Sequence, residues 1–240
     1  MHHYHPYTIF PLGDSALTVD FGNLIDEETN RKALRLFHQL KNERHPWIMD
    51  LIPGYSSLTI YYNLYELCHH KQADKSAFET MAEMIESLAS KKPPDDQISR
   101  RTMEVPVCYD ESFATDLQEL ADANGLEPSE VIELHTARTY RIYMIGFLPG
   151  FAYMGEVDER IVMPRRTVPR TVAPGSVGIA GKQTGIYPLR SPGGWNIIGK
   201  TPLKLFDREL PDPVLFQPGD EIKFFSISKN EFAHYQSRSV

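Results

Sequence analysis

The chain has 240 residues, 41% of them hydrophobic and 24% charged, the balance of a globular protein with one large domain or two ordinary ones. Its formal net charge of -7 repels phosphate backbones and anionic headgroups, which argues against nucleic acid and membrane as general partners. No apolar run approaches the ~18 residues of a membrane span, the first ten residues lack the order of a secretory signal, and Cys68 and Cys108 are too far apart for a thiolate zinc site or disulfide scaffold, so a cytoplasmic protein is expected.

In chain order, Tyr7 to Phe10 and Leu17 to Phe21 read as strands around a Gly13-Asp-Ser turn. Ala33, Leu36, Phe37 and Leu40 recur at helical spacing and predict a helix. Trp47 to Ile52, stopped by Pro53-Gly54, and Leu58 to Tyr62 read as further strands. From Ser76 to Leu88 the pattern is helical again, with Ser76 and Glu79 at capping-box spacing. This order predicts a small α+β domain over residues 1–92, helices on one face of an antiparallel sheet. The polar, proline-bearing stretch from Ser90 to Gln97 resists both helix and sheet and predicts a linker. Beyond it, Thr102 to Val107 reads as a strand, Ser112 to Asn124 as a helix ended by Gly125, and Pro128 as the first residue of a short helix. From Tyr140 onward helical periodicity disappears. Short apolar runs (Ile142 to Ile145, Val177 to Ala180, Ile197-Ile198, Leu203 to Phe206, Glu221 to Phe225) alternate with Gly and Pro. That punctuation predicts a β-barrel with one or two small helices over residues 98–240.

The densest feature runs from Gly146 to Pro202. Its glycines permit close backbone approach, its prolines stiffen the bends, and Arg165, Arg166, Arg170, Lys182, Gln183 and Arg190 sit in that frame. Such a set can form a pocket for carboxylate or phosphate, Arg by bidentate forks and Lys as a point charge; the same residues also suit solvated barrel turns. Gly194-Trp-Asn-Ile-Ile-Gly-Lys-Thr201 matches the phosphate-loop pattern letter for letter. Pro202 forbids the helix that a phosphate cradle needs at its lysine, and the match is read as coincidence. His135, four residues after Val131 on an apolar helix face, is both a candidate acid or base and a candidate packed core residue. His2, His3, His5 and the Cys68-His-His run have no carboxylate at ligand spacing, so no metal site is expected. Gly54-Tyr-Ser-Ser-Leu58 lacks the last glycine of a nucleophile elbow, leaving Ser56 and Ser57 as turn residues.

Several separated blocks carry a family resemblance: Leu12-Gly-Asp-Ser-Ala-Leu17, Pro53-Gly-Tyr-Ser-Ser-Leu58, Val131-Ile-Glu-Leu-His135, Gly146-Phe-Leu-Pro-Gly-Phe-Ala-Tyr153 and the stretch from Pro174 to Pro202. Together they resemble the family that holds the B subunit of 5-oxoprolinase, the sporulation-kinase inhibitor KipI and the carboxyltransferase C–D region of urea carboxylase. The resemblance implies a ferredoxin-like α+β N-terminal domain followed by a cyclophilin-like β-barrel. It implies a non-autonomous subunit of an ATP-hydrolysing 5-oxoprolinase, which opens 5-oxo-L-proline to L-glutamate together with its directly bound C and separate A subunits. ATP and Mg2+ would be co-substrates of the complex, with none bound tightly by this chain alone. Phosphorylation of the lactam oxygen would make a better electrophile, and cationic groups would stabilise the charge that develops. On that reading His135, Lys182 and Arg190 are the expected catalytic residues. Arg165, Arg170, Gln183, Ser191, Trp195 and Lys200 are then expected to bind substrate or nucleotide. The family's usual basic residue before the last Thr-Pro is arginine; Lys200 keeps the charge but lacks the fork. The same resemblance admits two other readings. One is an inhibitor docking on a histidine kinase through Phe147, Phe151 and Tyr153. The other is part of a urea-carboxylase-like carboxyltransferase, although no biotin-attachment Met-Lys occurs.

Overall fold

The computed structural model describes residues 7–22, 24–70, 74–90 and 101–238. The chain falls into two compact units, residues 1–99 and 100–240. The linker predicted from Ser90 to Gln97 lies outside the described residues except for Ser90, which instead ends a helix; His2, His3 and His5 also lie outside them.

In the first unit β1 (Thr8–Pro11), β2 (Ala16–Asp20), β3 (Ile48–Pro53) and β4 (Ser57–Tyr62) form one antiparallel sheet in the order β1-β2-β4-β3. Two helices, α1 (Glu27–Glu43) and α3 (Ala77–Ser90), follow the predicted apolar stripes, and a short α2 (Leu64–His70) lies between β4 and α3. Asp26 starts α1, its carboxylate accepting from the Thr29 N–H at 2.9 Å. The expected capping box starts α3: Ser76 N–H donates to Glu79 Oε2 at 2.8 Å and Glu79 N–H to Ser76 Oγ at 3.1 Å. No periodicity announces α2; Asn63 nucleates it by accepting from the Tyr65 N–H at 2.9 Å, and the Cys68-His-His run belongs to this helix. Alternate strand positions Leu17, Val19, Leu58 and Ile60 share one core with Leu36 and Leu40 of α1 and Met81 and Ile85 of α3.

The second unit begins with β5 (Thr102–Val107), α4 (Leu117–Asn124), α5 (Pro128–Ala137), β6 (Thr139–Ile145) and β7 (Ala152–Gly155). It continues through β8 (Arg170–Val172), β9 (Ser176–Ala180), β10 (Gln183–Ile186), β11 (Ser191–Gly193), β12 (Asn196–Lys200), β13 (Glu221–Ser226) and α6 (Lys229–Arg238). The main sheet has seven strands in the order β12-β9-β10-β7-β6-β13-β5, antiparallel except where β13 meets β5. Its two edges come together. Cys108, just past β5, and Lys200, the last residue of β12, exchange backbone hydrogen bonds of 2.8 and 2.9 Å, so the sheet curls round on itself. β8 and β11 form a separate two-stranded ribbon. Val107, Ile142, Met154, Val177, Ile198 and Phe224 are among the residues of the enclosed core.

Three local readings of the second unit differ from expectation. The helix predicted from Ser112 begins only at Leu117, because Asp110 ties the preceding residues into turns. The Asp110 carbonyl accepts from the N–H groups of Phe113 and Ala114, and its carboxylate from Ser112. Leu203 to Phe206 is not a strand, and Phe206 joins only an isolated bridge with Val214. α6 follows a capping box that helical periodicity does not reveal, with Ser228 N–H donating to Glu231 Oε2 at 2.7 Å. The phosphate-loop letters fall on β12, and no helix begins at their lysine.

Candidate functional site

A cleft of about 440 Å3 opens in the second unit between the 112–115 turn, β8 and the end of β12. Arg170 and Lys200, two of the predicted binding residues, line it together with Phe113, Thr115, Val172 and Ser176. Gly175 sets the position of Lys200. Its φ is +82°, its N–H donates to the Tyr187 carbonyl at 2.7 Å, and its carbonyl accepts from the Thr201 N–H at 2.9 Å. A Cβ there would lie 2.5 Å from the Thr201 carbonyl oxygen, so only glycine lets the β8–β9 turn press against Lys200-Thr201. Cys108 holds the Lys200 backbone from the other side. The Lys200 ammonium lies 5.5 Å from the Phe113 ring centre and 5.9 Å from that of Phe232, a cation–π arrangement. No carboxylate pairs with it among the described residues.

Arg170 is held differently. Its Nη2 donates to Thr115 Oγ1 at 2.8 Å and to Asp116 Oδ2. The Asp116 side chain is only 1% exposed, and it also accepts from Arg166 Nη2 and from the Ile197 N–H, each at 2.6 Å. Arg166 further pairs with Glu119. The hydrogen bond that Arg166 donates to Asp116 raises the Arg166 pKa above its ordinary value. This buried carboxylate, so supplied with donors, ties the segment carrying both arginines to the start of α4. Sequence reading missed Asp116 because it fell inside a predicted helix, where an acidic residue carries no signal beyond solvation.

The other predicted residues are not gathered in this cleft. Lys182 and Gln183 lie at the β9–β10 turn, where the exposed Lys182 ammonium is 3.7 Å from Glu159. Arg190 is exposed between β10 and β11. Ser191, on β11 opposite Val172, is buried, and its hydroxyl has no hydrogen-bond partner among the described residues. Trp195 belongs to an aromatic cluster, edge-on to Phe151 at 5.4 Å and to Tyr153 at 5.8 Å. Burial raises the Tyr153 and Tyr187 phenols, and Arg165 acts on both in the opposite direction, so it lies beside this cluster. Of the apolar residues expected on a docking surface, Phe151 is 1% exposed and packs as core, whereas Phe147 is 63% exposed in a left-handed conformation, φ 66°.

His135 is completely buried on α5 and stacks on Phe224 at 4.6 Å. Its Nδ1 accepts from the Tyr109 hydroxyl at 2.8 Å and its Nε2 donates to Thr184 Oγ1 at 2.9 Å, while the Thr184 hydroxyl donates to the Gly178 carbonyl at 3.1 Å. Both ring nitrogens are therefore committed to protein groups. Burial lowers the His135 pKa to about 3. Since this lies below the ordinary 6.5, protons bind preferentially to the unfolded chain: the contribution is complete above pH 6.5 and is lost as the pH falls toward 3. Urea unfolding at pH 7 and pH 5 should show a loss of about 2 kcal/mol from this residue, and His135→Gln should remove that part of the pH dependence.

Comparison with known proteins agrees with this architecture. The family model described as carboxyltransferase domain, subdomain C and D, matches residues 7–216. The chain is 42% identical to the B subunit of 5-oxoprolinase from Bacillus subtilis, over 97% of this chain and 98% of that protein. The crystal structure of TTHA0988 superposes with a TM-score of 0.77 at 33% identity over 89% of this chain, which spans only 40% of that longer chain. PH0987 from Pyrococcus horikoshii is 41% identical over 94% of this chain and 100% of its own, with a TM-score of 0.54. The chain belongs to the family of carboxyltransferase subdomains C and D, among whose members it is similar over nearly its whole length to the 5-oxoprolinase B subunit.

Proposed function

We propose that the chain is the B subunit of an ATP-hydrolysing 5-oxoprolinase, non-autonomous and working with the A and C subunits to open 5-oxo-L-proline to L-glutamate. The observation that carries this is the 42% identity extending over 98% of a relative of that name. A direct contact with the C subunit is supported by TTHA0988, where the segment matching this chain is 40% of a longer polypeptide, so further chain accompanies it covalently. ATP and Mg2+ are proposed as co-substrates of the complex, and the cytoplasm as its compartment. No ATP step is assigned to the cleft, where the one cation uncompensated among the described residues is too little for a triphosphate. Lys200 and Arg170 are the proposed binding residues. Arg165 and Arg190, on the same unit, are proposed to meet groups supplied by a partner, as is Lys182 if it leaves Glu159.

Residues 1–92 and 98–240 are proposed as separate domains, supported by hydrophobic clusters that each stay within one unit. A ferredoxin-like reading of the first is supported by its sheet, in which β4 lies between β2 and β3 as in a split β-α-β, with β1 taking the remaining edge. A cyclophilin-like barrel is supported by the Cys108–Lys200 closure of the second sheet.

The test is co-expression with the A and C subunits of the same host, assayed for ATP-dependent formation of glutamate from 5-oxoproline. Activity should disappear when this chain is omitted, and Lys200→Ala should lower kcat/KM by at least about ten-fold. A complex as active without the chain as with it would refute the proposal.

A further inference from the structure

The cleft has a charge balance that selects its ligand. Arg166 and Arg170 are offset by Asp116 and Glu119, while Lys200 has no carboxylate partner among the described residues, so one net positive charge is left at the wall. One cation suits one anionic group. Arg170 bonds to Thr115 and Asp116 through Nη2, and its other guanidinium nitrogens are left to a ligand. The apolar residues Phe113, Val172 and Ile197 line the same cleft. The Lys200 ammonium already stands over the Phe113 ring, so an anion reaching it lies beside an aromatic face.

We infer that this cleft binds a small monocarboxylate carried on a compact ring, its carboxylate held by Lys200 and Arg170 and the ring methylenes against Phe113, Val172 and Ile197, and that it is not the nucleotide site. This deepens the function proposed above, on which it rests for the identity of the acid: 5-oxoproline is such a monocarboxylate, and a triphosphate is not. Neutralising Lys200 removes the only unpaired charge among the described cleft residues, whereas arginine at that position keeps it. Discrimination against a neutral lactam of the same ring follows, because Lys200 then finds no anion.

The experiment is calorimetric titration of the full chain, and of its complex with the A and C subunits, using 5-oxo-L-proline, 2-pyrrolidinone and ATP. The acid should bind, 2-pyrrolidinone at least about ten-fold more weakly, and a saturating concentration of ATP should leave the acid's affinity for the full chain unchanged. Lys200→Ala should weaken the acid at least about ten-fold while Lys200→Arg stays near the parent. Equal binding of 2-pyrrolidinone, competition by ATP on the full chain, or an unchanged affinity in Lys200→Ala overturns the inference. Failure of the acid to bind both the chain and the complex does so too. An active complex whose Lys200→Ala form binds the acid normally defeats this inference alone, whereas normal binding by a complex that makes no glutamate defeats the proposed function alone.

Discussion

Alanine in place of Gly175 should lower the unfolding midpoint by about 10 °C, a loss of roughly 3 kcal/mol in a unit of this size. Two costs add. A side chain at φ +82° is held in the left-handed region, and its Cβ would have to move away from the Thr201 carbonyl oxygen at 2.5 Å. The oxygen belongs to backbone whose Thr201 N–H is bound to the Gly175 carbonyl, so the turn must shift, and such overpacking costs about 1–3 kcal/mol. Gly181→Ala separates the two costs. At φ +59° with nothing within 4 Å of the added carbon, it should lose only about 1 kcal/mol. Thermal unfolding of both variants, with 5-oxoproline titration of the survivor, checks the geometry: Gly175→Ala should weaken the ligand because Lys200 moves with the turn. Equal midpoints for the two variants would refute the contact.

The second large effect is expected at Asp116. Truncation to alanine removes the shared acceptor of Arg166, Arg170 and the Ile197 N–H and should cost about 3 kcal/mol, the lower end for a broken buried pair. The lower end applies because the arginine side chains are 27% and 39% exposed and can turn to water, while the Ile197 N–H cannot. Asp116→Asn keeps an acceptor for that N–H and should lose about half as much. The cleft, now with one more uncompensated positive charge nearby because Arg166 keeps Glu119, should lose part of its preference for a monoanion over ATP. Urea unfolding at pH 7 measures the first effect and competition titration the second.

Much of the architecture was legible because its signals are local. The stripe Ala33, Leu36, Phe37, Leu40, the capping box of Ser76 and Glu79, and Pro128 at a helix start each settle an element from a few neighbouring residues. Elements started by a single polar contact, such as α2 at Asn63, leave no periodic trace. The helix expected from Ser112 shows the opposite error, since helical spacing there was overridden by the bonds of Asp110 and by the long-range commitments of Asp116. The site was half legible. Basic residues in a glycine-rich frame pointed to anion binding, and Lys200 and Arg170 do meet in one cleft. What composition could not show is which charges are already spent: Arg166 and Arg170 share Asp116, Lys182 faces Glu159, and His135 is locked between Tyr109 and Thr184. Pairing of that kind joins residues far apart in sequence, Arg166 and Asp116 by 50 positions and His135 and Tyr109 by 26, and no short motif records it.

The bridge between Cys108 and Lys200 bears on how the protein is made. Every cleft residue is synthesised before β13, yet β5, which delivers Cys108 to Lys200, gains its strand neighbour only when β13 pairs with it in parallel. A polypeptide released before Glu221 would therefore carry all the ligand-contacting side chains without the seam that sets their spacing. Such pairing between the two ends of a unit is slow, because the chain between them must be ordered first. Ligand added during refolding has nothing to grip until the seam closes, so it should leave the folding rate unchanged and slow only unfolding. The number of acid-binding sites per chain is then a measure of closed seams rather than of chain present.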